Sequence, residues 1–106
     1  MITNQVIQKA LDELKEITGV ELAVMELNGT QAAATFNTDD ISSISIRAFI
    51  DSEAEDGVNG KLHFYRIVDD GVTNYVLIAK GSDGKTDMVG RMALSELTAL
   101  SAAYKE

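Results

Sequence analysis

Two short turn signals constrain this chain most. Asn28-Gly29 separates residues 20–27, dense in β-forming side chains, from residues 30–36, and Asp69-Asp70-Gly71 separates 61–68 from 73–80. Asn-Gly and Asp-Gly tolerate positive φ at the centre of a tight turn, and that geometry matches the twist of two antiparallel strands. Each signal therefore closes a β-hairpin. The arm 73–80 alternates cleanly, with Tyr75, Leu77 and Ala79 opposite Val76 and Ile78. The arm 30–36 is rich in alanine and is the weakest of the four.

Helical spacing surrounds the hairpins. Val6, Ile7, Ala10, Leu11, Leu14 and Ile17 form one stripe within residues 2–18, and Gly19 supplies the stop. Residues 41–52 follow the N-cap candidates Thr38, Asp39 and Asp40, with Ile44, Ala48 and Phe49 expected to face inward. Residues 53–60 read as a loop. From Thr86, with Thr86 and Asp87 as caps, Val89, Met92, Ala93, Leu97, Leu100, Ala103 and Tyr104 recur on one face through Glu106. That helix meets no Gly, Asn or Pro stop, so the chain reads as one domain, residues 1–106, of a longer protein. The order helix, hairpin, helix, hairpin, helix gives an α+β fold: an antiparallel sheet of two hairpins with flanking N- and C-terminal helices, PAS/GAF/profilin-like. Roadblock modules share this order.

The formal net charge of −8 argues against direct nucleic-acid binding, which needs clustered Lys and Arg. Without cysteine there is neither a disulfide framework nor a thiolate metal site. No apolar run approaches the roughly 20 residues of a membrane span, and residues 1–11 lack a signal-peptide core. A cytoplasmic protein is the expectation.

Few motifs carry chemistry. Residues 79–86 fit a relaxed phosphate-loop pattern, but the preceding strand belongs to a hairpin and no parallel βαβ unit follows. They read as a turn and a helix cap. Asp51, Glu53, Glu55 and Asp56 imitate the start of a calcium loop, yet positions six and twelve hold Asp56 and Leu62. This is a solvated acidic loop. His63 is the single histidine, and no nucleophile–base pair is visible, so neither an enzyme nor a cofactor is expected.

Two segments resemble a known family. Residues 24–32, Val-Met-Glu-Leu-Asn-Gly-Thr-Gln-Ala, resemble the N-terminal hairpin of sugar-diacid-type (PucR/CdaR-like) bacterial transcription regulators. Residues 75–81 and 88–106 resemble the strand and helix that lead out of their sensory domain. The resemblance implies a ligand-sensing and dimerisation domain whose DNA-binding part is absent. Residues 37–44 lack that family's basic, glycine- and histidine-bearing stretch, so no binding residue is carried over. The alternative is a stand-alone acidic scaffold of the roadblock or secretion-chaperone sort, dimeric and without a small ligand.

Two expectations follow. Arg47, with Tyr65, Tyr75 and His63, is the most plausible polar convergence for a small anionic metabolite, because a guanidinium binds an acid bidentately. A homodimer is expected through the terminal helices. Its seam would be Ile7, Ala10, Leu14 and Ile17 on the first, and Ala93, Leu97, Leu100 and Tyr104 on the last.

Overall fold

The computed structural model describes residues 2–104. Along the chain run α1 (Asn4–Thr18), β1 (Glu21–Glu26), β2 (Gln31–Ala34), α2 (Ser43–Asp51), β3 (Asp56–Asn59), β4 (Leu62–Asp69), β5 (Val72–Lys80) and α3 (Gly84–Ala103). The strands form one antiparallel sheet in the order β2-β1-β5-β4-β3. Both expected hairpins are present. A fifth strand, β3, occupies residues expected to be loop.

Local chemistry sets the ends of the helices. The Thr3 hydroxyl accepts from the Val6 N–H at 3.2 Å, so α1 begins at Asn4 rather than at residue 2. Gly19, at φ 76°, ends it by donating its N–H to the Lys15 carbonyl at 2.7 Å. Ser42 caps α2 through Ser45, displacing the expected caps at residues 38–40. Asp83 caps α3 by accepting from the Thr86 N–H and hydroxyl, which places Thr86 inside the first turn and buries it. The expected extension of α3 to residue 106 lies beyond the described residues. Between β4 and β5, Asp70 (φ 54°) and Gly71 (φ 77°) make the left-handed pair that a tight hairpin requires.

Helices cover both faces of the sheet. On one, α1 and α3 press Ile7, Leu11, Val89, Ala93 and Leu97 onto Leu22, Val24, Tyr65, Ile67, Leu77 and Ala79. On the other, α2 presses Ile46 and Phe49 onto Ala23, Met25, Phe64, Val76 and Ile78. Strands β1 and β5, in the middle, are thus buried on both sides, and Val76 through Ala79 have no exposed surface. Each large side chain so buried contributes roughly 1.5–3 kcal/mol. Ile44 and Ala48, expected inward on α2, face solvent, because the buried stripe of that helix runs through Ile46 and Phe49 instead. Among the described residues no helix is long and apolar enough to cross a membrane.

Candidate functional site

The four expected ligand residues do not converge. Tyr65, Tyr75 and His63 point to the sheet face that α1 and α3 cover, since His63 pairs with Ala79, Tyr65 with Leu77, and Ile67 with Tyr75. Arg47 lies on α2, across the sheet, in an open groove with Leu27, Asn28, Ser43 and Ile44. A five-stranded sheet separates the guanidinium from both tyrosines, so the anionic-metabolite site has no geometric basis.

Tyr65 has a different task. It is buried, its ring lies against Gly90, and its hydroxyl donates to Asp87 Oδ1 at 2.6 Å. A Cβ on residue 90 would sit 2.6 Å from the ring, so only glycine permits this approach. Asp87 Oδ2 accepts from Arg91 Nε at 3.1 Å, and Arg91 Nη2 reaches Asp56 Oδ2 at 2.6 Å. Burial first, then the Asp87 carboxylate, pushes the Tyr65 hydroxyl far above the ordinary phenol range. Hydrogen bonds from Tyr65 and then Arg91 hold the Asp87 carboxyl below its usual range. The phenol therefore stays protonated and donates at physiological pH. The chain of contacts is a brace from α3 to β3, with no group left poised for proton transfer.

The expected dimer seam is mostly spent inside the protomer. Ile7 and Leu97 are 2% and 1% exposed. Leu14 and Leu100 pack partly onto the same core. One broad sheet face absorbs both stripes, so a charge at Leu97 would unfold the domain before it could separate a pair of copies.

Of the expected seam Ile17 and Tyr104 stay exposed, and further exposed apolar side chains border β3. Ile44 on α2 is 79% exposed and Val58 on β3 is 67% exposed. Between α2 and β3 runs a groove of about 340 Å³, lined by Ile44, Ala48, Phe49, Gly57 and Phe64 among others; Val58, paired with His63, borders it at the strand and turns its side chain to the other face. Strand β3 pairs with β4 through Asp56↔Tyr65, Gly57↔Phe64, Val58↔His63 and Asn59↔Leu62, and among the described residues its other side meets no strand. Arg66 stiffens this border. Its guanidinium lies 4.9 Å from the centre of the Phe49 ring and donates to the carbonyls of Phe49 and Ile50, each at 2.9 Å, and to that of Ala54. It thereby adds to the C-terminal carbonyls of α2 a second donor beside the Ser52 and Glu53 N–H groups that they already accept. Sequence reasoning missed this site, although Asn59-Gly60 repeats the Asn-Gly signal used at residues 28–29.

No family model and no curated protein sequence matches the chain. Among solved structures, Myxococcus xanthus MglB superposes with a TM-score of 0.63 over 97% of this chain and 92% of that one, at 15% identity. This overturns the sugar-diacid regulator reading. The hairpin and helix that carried the resemblance belong to a fold shared along nearly the whole chain with MglB, and nothing supports a transcription regulator. What the likeness shows is the architecture: an α+β, five-stranded antiparallel sheet flanked by helices, of the roadblock, profilin-like kind.

Proposed function

We propose that this chain is a homodimeric, roadblock-type interaction module whose two copies join along β3 and α2. The observation that carries the proposal is the coincidence of a sheet edge that is free among the described residues with Ile44 and Val58, two strongly exposed aliphatic side chains that flank it on opposite faces of the sheet. A two-fold axis through β3 would extend the sheet across both copies and bring the apolar walls of the two α2 grooves together. Self-complementarity is supported by the short strand, whose four residues ask for little register specification. The likeness to MglB also favours a homodimer.

A dimer of this kind is a platform rather than a catalyst. MglB is a GTPase-activating protein that acts as a dimer, so a small GTPase is the partner class to test first. A cytoplasmic location belongs to the same reading. The first experiment is light scattering on the wild-type chain, Val58→Lys and Ile44→Glu. A wild-type dimer that each variant converts to a folded monomer is the expected result. A wild-type monomer at high micromolar concentration, or a dimer indifferent to both changes, would sink the proposal.

A further inference from the structure

We infer that Gln8 closes the β2 edge to strand addition and confines self-association of this chain to the β3 edge. Strand β2 is the opposite border of the sheet, and its backbone would otherwise offer a second template for pairing. In an antiparallel pair, successive residues aim their amides alternately at the neighbouring strand and away from it. The Thr35 N–H donates to the Leu22 carbonyl at 2.9 Å, so the amide groups of Ala34 face outward. Gln8 meets both of them. The Ala34 N–H donates to Gln8 Oε1 at 3.0 Å, and Gln8 Nε2 donates to the Ala34 carbonyl at 2.8 Å.

A primary carboxamide carries the same donor and acceptor as a peptide group. Gln8 therefore occupies the place that a residue of an incoming strand would take. Its second N–H is also engaged, donating to Asp12 Oδ1 at 2.9 Å, one turn further along α1. The carboxamide is held at both ends, and the side chain comes from a helix anchored in the core by Ile7, Ala10 and Leu11. An entering strand would have to displace it.

The geometric consequence concerns closure. A sheet with two open edges adds copies at both and grows as a ribbon, whereas one with a single open edge stops at a two-fold pair. The inference rests on the proposed β3 dimer only for the expected stoichiometry. The test uses Gln8→Ala and Gln8→Met, the latter keeping the apolar stem without its polar end. Gln8→Glu serves as control, because it puts a carboxylate at the edge. Mass is read by light scattering over a wide concentration range, with hydrogen exchange at Ala34 and thermal unfolding measured in parallel. Wild type and Gln8→Glu should stop at the dimer. Gln8→Ala and Gln8→Met should form tetramers and larger species as concentration rises, with the Ala34 amide exchanging at least tenfold faster in dilute solution. If the wild type is a monomer, the β3 reading falls, and Gln8→Met moving from monomer to dimer still upholds the clasp. Unchanged mass distributions in both neutral variants overturn it, whether or not their Tm falls.

Discussion

At one border of the sheet, β2 presents the backbone of Ala34 to a glutamine from its own chain; at the other, β3 presents its backbone to no strand among the described residues. The β2 border is short and alanine-rich, and is covered by α1. The β3 border is flanked by Ile44 and Val58 and held from behind by Arg66 and Arg91, which tie it to α2 and to α3. The first border spends polar side-chain atoms to hide the backbone. The second uses them to hold the backbone in place while leaving it accessible. The difference teaches that an unpaired strand is not a defect in this fold: among the described residues the chain covers one edge with its own side chain and leaves the other open.

The strongest way to break this contrast is to remove what supports the open edge. Phe49→Ala deletes the ring that stacks on Phe64 at 5.5 Å, packs above Gly57 and underlies Arg66. It should cost about 3–5 kcal/mol in denaturant unfolding, as large-to-small aromatic truncations do. Amide exchange should rise in β3 and α2 well before it rises in β1. Uniform exchange across the sheet would mean that the border is not a separate unit.

Arg66→Ala should have a smaller effect of about 1–3 kcal/mol, the range for leaving buried hydrogen-bonding groups without their partner. The carbonyls of Phe49 and Ile50 would lose the charged one of their donors and keep the N–H groups of Ser52 and Glu53, so protection should fall at the C-terminal turn of α2 while α1 is unchanged. Retention of full α2 protection would show that solvent replaces the guanidinium.

Acid separates the two borders further. Folding lowers the proton affinity of Asp87, so the Tyr65–Asp87–Arg91 brace contributes fully above the ordinary carboxylate range. Its contribution is lost as pH falls through the lowered Asp87 value. Asp87→Asn should flatten the low-pH decline in Tm and leave less stability at neutral pH. Parallel curves for the two proteins would remove Asp87 from the acid response. Smallest of all should be the effect of salt. Each copy carries a formal net charge of −8, so two copies repel one another as they approach. Raising the ionic strength should tighten association a few-fold, because like charges are screened; weakening by salt would point to an attractive interface instead.

The hairpins and the helices are legible because each has a local cause: Asn-Gly or Asp-Gly at a turn, Gly19 at a stop, apolar residues at helical spacing. Strand β3 is not, since Asp-Gly-Val-Asn has almost no β-forming content and becomes a strand by pairing with β4. The placement of β1 beside β5 has no local signature either, because two hairpins can join by more than one pair of edges. The same gap explains the candidate site. Arg47 and Tyr65 are compatible in chemistry, but nothing in their spacing reveals that they occupy opposite faces. Ile7 and Leu97 look like a surplus of apolar surface only while the width of the sheet that covers them is unknown. Ile44 reads as core and is surface, a reversal that follows because the buried stripe of this nine-residue helix runs through Ile46 and Phe49.

The strand order carries a consequence for synthesis. Strand β1 finds its central partner only in β5, through pairs as distant in sequence as Glu21↔Lys80, whereas β3, β4 and β5 form a local meander. Contacts of long sequence separation are slow, because chain entropy must be lost before they form. The N-terminal hairpin emerges from the ribosome early and waits, its apolar residues Leu22, Val24 and Met25 unpaired with β5, until residues 72–80 are made. A nascent chain halted before Val72 would hold β1 with one side open to the wrong partner, so the order in which this sheet is laid down makes the interval before β5 is made its most aggregation-prone moment.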